Sequence, residues 1–307
     1  MSAAIQATGL TKVYGHTHAL DGLDLRVEEG SIFGFLGPNG AGKTTTVRLL
    51  TGLALPTSGS IRILGGDAGA ATVRAQLGFL PDVPGFYEWM TGRDFLEFTG
   101  RIFGLSASDR AKRVDMLLEL AGLTDVKTKI GGYSRGMKQR LGVAQALINS
   151  PRLLVLDEPT SALDPLGRKA ILEMLASLRG RTTVFFSTHI LADVERVCDT
   201  IAILDRGRVV EQATLGELKA RYGLHKIVVE VTECADVLAR DIESQPWATN
   251  VERRENGTLR VSVGDVGEAR RAIPRLVADG GLGLVRFEAA EVELEEVFVE
   301  LVGGKRQ

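Results

Sequence analysis

The chain has 307 residues, of which 44% are hydrophobic and 25% charged, and its formal net charge is −2. This composition suits a soluble globular protein of two domains, and the balanced charge gives no electrostatic case for nucleic-acid binding. Its two cysteines, Cys198 and Cys234, make neither a disulfide framework nor a metal pattern and suit a reducing cytosol, and no apolar run approaches the ~18 residues of a membrane helix.

The N-terminal MSAAIQATGLTKVYG has neither a basic n-region nor an apolar core, so no signal peptide is expected and any membrane span must come from another chain. Residues 4–35 read as short alternating strands, including the region of Leu23–Val27, broken at Gly15, Gly22 and Gly30. Within them, Tyr14 in KVYG is either a half-buried strand residue or an aromatic that stacks on a purine base, a contact worth ~1–3 kcal/mol on nucleic-acid platforms. His16 and His18 read as solvated loop residues.

Residues 31–53, SIFGFLGPNGAGKTTTVRLLTGL, carry the strongest signal. The apolar run Ile32 to Leu36 reads as a buried strand. The glycine-rich turn Gly37-Pro38-Asn39-Gly40-Ala41-Gly42 follows, and Lys43-Thr44-Thr45 opens a helix with Val47, Leu49, Leu50 and Leu53 apolar. This is G-x-x-x-x-G-K-[ST] in its required context of strand, loop and helix. Glycines let backbone N–H groups converge on a phosphate without an intervening Cβ. The helix N-terminus aims roughly half a positive charge at the same anion. Lys43 is placed to reach the β- and γ-phosphates, and the Thr44 hydroxyl to ligate Mg²⁺.

Pro56-Thr57-Ser58-Gly59 makes a turn, SIRILGG a strand, and GFLPD (78–82) a strand end stopped at Pro81. From Val83 to Leu105 the aromatics Phe86, Tyr87, Trp89, Phe95, Phe98 and Phe103 crowd together, although aromatics are only 6% of the chain. They read as the core of a small helical subdomain or as a partly exposed groove for a partner helix. Residues 107–147 look helical. In GGYSRGMKQRL (131–141), Ser134 sits where a loop turns into a helix, either as a plain N-cap or as a second anion site.

RLLVLDEPTSALD (152–164) follows. Leu153–Leu156 is apolar without alternation, as in a parallel strand covered on both faces, and Asp157 and Glu158 stand at its carboxyl end, where open α/β sheets place their chemistry. Two adjacent carboxylates there call for cations. Asp157 is expected to hold Mg²⁺, and Glu158 to act as base or to position water. TTVFFST (182–188) is another buried strand, with His189 at its end, in reach of a γ-phosphate. A helix through Val197, the strand–turn–strand IAILDRGRVVE and a helix Leu215–Tyr222 ending at Gly223 complete this part.

From His225 the texture changes. Strand 226–232, helix 234–241, strand 247–253, turn Asn256-Gly257, strand 258–263, helix 266–279, strand 283–289 and helix 293–302 give a βαββαβ order with an added helix, a ferredoxin-like split βαβ unit. It carries no phosphate loop, metal cluster or nucleophile constellation.

Taken together, GPNGAGKTT, YSRGMKQRL, LLVLDEPT, SALD and STHI, in this order, resemble the motifs of an ATP-binding cassette (ABC) ATPase, the nucleotide-binding subunit of ABC transporters. The resemblance covers residues 4–222. It implies an α/β fold of the phosphate-loop NTPase type with an antiparallel β subdomain and a helical subdomain (83–150), so that residues 1–222 form the ATP-binding domain and 223–307 an α+β accessory domain. By this resemblance Tyr14 is the aromatic beside the adenine, His189 the switch histidine, Asp164 part of the D-loop, and Ser134 and Gly136 contacts to the γ-phosphate. ATP and Mg²⁺ are the implied cofactors. Two departures stand out. Asp82 occupies the place of the family's usual glutamine and is either a metal or water ligand or a plain loop residue. Tyr133, Arg135 and Met137 replace three of the five residues of the usual LSGGQ. YSRGMKQR and PGFYEWMT look like the ABC-2 type branch that drives drug, antibiotic or polysaccharide exporters, and the tail ELEEVFVELV resembles the accessory domain of those subunits. The implied partners are a second copy of the chain, paired head to tail around two ATP, and a membrane permease on a separate chain. No nucleic acid is expected, and the implied location is cytoplasmic, peripheral at the inner face of the cell membrane. A soluble cassette acting on nucleic acid or ribosomes is the alternative; such proteins commonly carry two cassettes or long coiled-coil insertions, and this chain has one cassette and no such insertion. A regulatory ATP-binding module is a further alternative, against which the intact Lys43, Asp157 and Glu158 argue.

Overall fold

The computed structural model describes residues 2–161, 163–222, 226–254, 257–289 and 294–303. Gly223 as helix stop, Asn256 of the expected turn and Ala162 of SALD lie outside the described residues. The chain divides into two compact units, Met1–Leu215 and Gly216–Gln307.

The first unit opens with β1 (Ala3–Tyr14) and β2 (Thr17–Glu28), runs through β3 (Ile32–Leu36) into α1 (Lys43–Leu50), and returns to β4 (Ser58–Ile63) and β5 (Gly66–Asp67). The short helix α2 (Ala71–Arg74) leads to β6 (Leu77–Leu80), followed by α3 (Gly92–Ile102), α4 (Ala107–Leu120) and α5 (Arg135–Ala146). Strands and helices then alternate: β7 (Leu153–Asp157), α6 (Pro165–Ala176), β8 (Thr183–Thr188), α7 (Leu191–Val197), β9 (Thr200–Asp205) and β10 (Arg208–Thr214).

Two sheets result. One is four-stranded and antiparallel, in the order β2-β1-β4-β5. The other is six-stranded, β10-β9-β3-β8-β7-β6, parallel except for β10 at its edge. Every residue of β3, β7 and β8 is buried, which is why these strands read as unbroken apolar runs. Phe33 and Phe35 pack on Phe185, with ring centroids 5.8 and 5.2 Å apart.

The short strands expected over residues 4–35 are in fact two of 12 residues each, β1 and β2. Gly9 and Gly22 have positive φ of 57° and 66°, but they accompany β-bulges inside the pairing, where the register shifts between Ala7 and Leu10 and again before Lys12. A bulge admits a residue in the left-handed region without ending the ladder, so Gly22 does not break β2, whereas Gly15 and Gly30 stand in turns.

In the second unit, α8 (Leu215–Tyr222) precedes β11 (Lys226–Val231), α9 (Ala235–Glu243), β12 (Ala248–Arg253), β13 (Thr258–Val263), α10 (Val266–Asp279), β14 (Leu284–Ala289) and α11 (Leu294–Gly303). The sheet order β12-β13-β11-β14, with antiparallel neighbours throughout, is the ferredoxin-like arrangement. Alternate residues of β11 and β13 are buried, and Val229 and Val261 share one core with Leu238, Ile242 and Ile273 of α9 and α10. The two compact units divide between Leu215 and Gly216, at the start of α8.

Candidate active site

Strand β3 delivers the chain to the carboxyl edge of the six-stranded sheet, and residues 37–42 turn it into α1. Two glycines fit here for steric reasons. A Cβ on Gly37 would lie 2.5 Å from the Leu204 carbonyl oxygen. Gly42 has φ of 112°, and its Cβ would lie 2.6 Å from the Ala19 carbonyl oxygen. Lys43, 6% exposed, begins α1. Its ammonium donates to the carbonyls of Gly37 at 2.8 Å and Pro38 at 3.2 Å, and lies 3.2 Å from Glu158 Oε1. A buried ammonium needs such partners.

The acidic pair enters from β7. Asp157 is 3% exposed, and its Oδ1 accepts a 2.5 Å hydrogen bond from Ser187 Oγ on β8. Burial pushes the Asp157 carboxyl above its ordinary range; the hydroxyls of Ser187 and Thr44 oppose this, and the charges of Glu158 and Asp82 reinforce it. Glu158 leaves the strand with φ of 48°, a conformation that a residue with a Cβ holds only when its surroundings fix it. Its backbone N–H donates to the Ser187 carbonyl at 3.1 Å, and Oε2 lies 2.8 Å from His189 Nδ1. Glu158 thus bridges Lys43 and His189.

A cleft of about 410 Å³ gathers Asn39, Gly40, Gly42, Lys43, Thr44, Thr45, Asp82, Glu158 and His189, together with Ser161 and the Thr17–Ala19 segment. Gly37, Pro38 and Ala41 form the loop beneath it, tied by the Ala41 N–H to the Pro38 carbonyl at 3.2 Å. Tyr14 is 46% exposed at the end of β1, opposite Thr17, with the Lys12 ammonium 4.8 Å from its ring centroid. Asp82 accepts from Ser161 Oγ at 3.0 Å. Ser134, Gly136 and Asp164 are not among the cleft's walls. They form a second group: Ser134 caps α5 by accepting from the Met137 N–H at 3.2 Å, Asp164 caps α6 by accepting from the Gly167 N–H at 3.2 Å, and a Cβ on Gly136 would lie 4.0 Å from Gly167.

Sequence reasoning missed Ser187, Ser161 and His18. The signal for Ser187 was a hydroxyl ending the buried run TTVFFST; the other two carried none, since His18, near the start of β2, and Ser161, in a turn, meet the rest of the cleft only through distant chain. The replaced signature positions have a structural account in part. Tyr133 is buried and so fills an apolar position, whereas Arg135 is exposed.

A lysine buried beneath a phosphate-sized loop, with an acid pair behind it at the carboxyl edge of the sheet, places the chain among the phosphate-loop nucleoside triphosphatases. Family comparison narrows the class. Residues 20–161 match the family described as ABC transporter, and residues 214–302 match the ATP-binding protein DrrA1-3-like, C-terminal domain. The chain is 39% identical to the daunorubicin resistance ATP-binding protein DrrA3 of Streptomyces coeruleorubidus, over 99% of this chain and 97% of that one. It is 37% identical to the bacitracin transport ATP-binding protein BcrA of Bacillus licheniformis, over 99% of both. A solved dimeric post-hydrolysis state of the ATP-binding cassette MJ0796, bound to ADP and Pi, is 26% identical and superposes with a TM-score of 0.60, covering 69% of this chain and 98% of that one. The chain belongs to the ATP-binding subunits of ABC transporters, a family of ATP-hydrolysing proteins.

Proposed function

We propose that the chain powers an exporter: two copies pair head to tail around two ATP at the inner face of the cell membrane and drive a permease carried on a separate chain. Export is supported by the relatives, whose names assign them to bacitracin transport and daunorubicin resistance. No helix among the described residues is long and apolar enough to cross a membrane. The observation that carries the pairing is the separation of Ser134 and Gly136 from the cleft that holds Lys43 and Glu158: a second copy would supply them.

In this reading the backbone N–H groups of Gly37 to Thr45, including those of Pro38's neighbours, wrap the phosphates, and Tyr14 stacks on the adenine. Lys43 exchanges its carbonyl and Glu158 contacts for the β- and γ-phosphates. Glu158, once released, takes a proton from the attacking water, and His189 steadies the γ-phosphate. Thr44 and Asp157 would hold Mg²⁺, with Asp82 as a further candidate ligand. The donors fit: Asp157, Glu158 and Asp82 raise the negative potential of the edge. No group of three or more His, Cys, Asp or Glu is placed to hold a metal by itself among the described residues, which suits an ion that takes one or two carboxylates plus phosphate oxygens. Bound there, Mg²⁺ neutralises charge developing on the phosphates.

The raised Asp157 pKa gives a test. An acid whose folded pKa lies above its unfolded one is penalised when ionised, so the fold loses stability as pH rises from the unfolded pKa to the folded one. Above the folded pKa the penalty is present in full. Asp157→Asn should therefore melt at or above the wild-type temperature without nucleotide. Saturation at 100 times Kd stabilises a fold by ~2.7 kcal/mol, and Asp157→Asn should lose the Mg²⁺-dependent part of that shift. Thermal scans with ATP, with and without EDTA, measure both.

The permease surface is proposed at the aromatic stretch. Phe95 is buried, and Phe86 meets it edge-on with centroids 5.2 Å apart. Trp89 is 66% exposed, and Tyr87 bridges it to Phe98, with centroids 6.1 and 5.6 Å away. Buried and exposed aromatics therefore stand side by side in this stretch. Trp89→Ala should weaken permease capture ~10–100-fold, from the loss of one buried aromatic at an interface, with ATP turnover and melting temperature nearly unchanged. Co-purification of the chain with its membrane partner, and loss of cargo export in Glu158→Gln, test the whole reading.

A further inference from the structure

We propose that Asp193 is a positioning residue for hydrolysis, locking together the three segments that carry Glu158, Asp164 and His189; the proposal rests on the roles assigned to those residues above. Asp193 stands in the first turn of α7, behind His189, and is fully buried at 0% exposure. Both carboxylate oxygens are engaged. Oδ2 accepts from Thr160 Oγ1 at 2.5 Å, and Oδ1 accepts from Arg168 Nε. Thr160, 1% exposed, follows Glu158-Pro159 directly. Arg168 lies on α6, the helix that Asp164 caps, and its N–H donates to the Asp164 carbonyl at 2.9 Å.

One carboxylate therefore ties the end of β7, the start of α6 and the start of α7. A buried charge of this kind persists only with a cation and its hydrogen bonds in place. Arg168 supplies the cation. The neighbouring Lys169 and Arg196 each lie 3.7 Å from Glu173 Oε1 instead. The arrangement leaves Asp193 one geometry, and that geometry fixes the chain beyond Glu158, whose φ of 48° needs surroundings that hold it. Catalytic groups misplaced by 1 Å through a distant change lose on the order of 100-fold in rate, so a lock at this point acts on turnover more than on ATP binding.

The test is steady-state ATP hydrolysis by the full chain, with rates normalised to nucleotide-binding sites titrated with a fluorescent ATP analogue. Thr160→Val removes the hydroxyl at nearly constant volume and leaves the Asp193–Arg168 pair intact. It should lower kcat ~10–100-fold while KM for ATP changes less than about threefold, on the same scale of differential binding. Thr160→Ser should restore kcat. Arg168→Lys, which keeps the charge but loses the Nε–H geometry, should show the same kcat-specific loss and provides the readout should the valine variant not fold. Thr160→Val combined with Asp193→Ala should be no slower than Asp193→Ala alone, since the alanine variant already lacks the acceptor of the Thr160 hydroxyl. Thr160→Val or Arg168→Lys with wild-type kcat, or a loss of kcat that serine does not restore, overturns the proposal. Glu158→Gln is run alongside: full turnover in that variant would sink the assigned catalytic roles, whereas its loss with a fully active Thr160→Val would sink the Asp193 lock alone.

Discussion

Glu158→Gln should bind Mg-ATP as the wild type does and hydrolyse it at least ~100-fold more slowly, the usual scale for losing general-base help. The geometry gives the reason. Glu158 is held at the carboxyl edge by its N–H bond to Ser187, with its two carboxylate oxygens directed at different partners, Lys43 at 3.2 Å and His189 at 2.8 Å. In the proposed mechanism ATP draws Lys43 to phosphate and so frees one oxygen to accept a proton from water. Glutamine keeps the length and the left-handed backbone but has no basic oxygen. It also removes the negative partner of Lys43, so ATP affinity should stay level or rise. Single-turnover hydrolysis and equilibrium nucleotide titration separate the two effects. Unchanged turnover in the glutamine variant would remove Glu158 from the chemistry.

The two halves of this site were unequally legible in the sequence. Lys43 and Asp157 could be read because the strand, loop and helix that present them are local: a few residues of pattern define both the chemistry and its support. The same holds for β13 and α10, whose bounds follow the alternation of Thr258–Val263 and the helical period of 266–279. What was illegible depends on chain far away. Ser187 comes to Asp157 from the adjacent parallel strand, and Ser161 comes to Asp82 across the cleft. No local spacing encodes either meeting. Gly22 misled for a related reason: a positive-φ residue reads as a turn, and only the pairing of β1 with β2 shows that it is a bulge. Tyr14 and the aromatic stretch stayed open because exposure, which separates Trp89 from Phe95, is a property of the packed fold.

Ser134→Arg should abolish ATP-driven dimerisation of the Glu158→Gln variant while each monomer still binds ATP. A head-to-tail pair with two equivalent sites is a closed two-fold interface, so one substitution strikes it twice. Ser134 is exposed at the N-terminus of α5, where backbone N–H groups and the helix dipole favour an anion. Arginine replaces a small hydroxyl at the proposed γ-phosphate contact with a long side chain that separates the two copies. Losing the cap bond to the Met137 N–H also costs the helix ~0.5–2 kcal/mol, and that loss alone must be distinguished from the loss of contact. Ser134→Asp makes the distinction. Aspartate caps as well as serine does, yet it sets a carboxylate against the phosphate and should block dimers equally. Sedimentation velocity at saturating ATP reads the outcome. Dimers that persist in the aspartate variant would place Ser134 away from the nucleotide, and monomers in the Glu158→Gln parent would argue that ATP is not clasped between two copies of this chain.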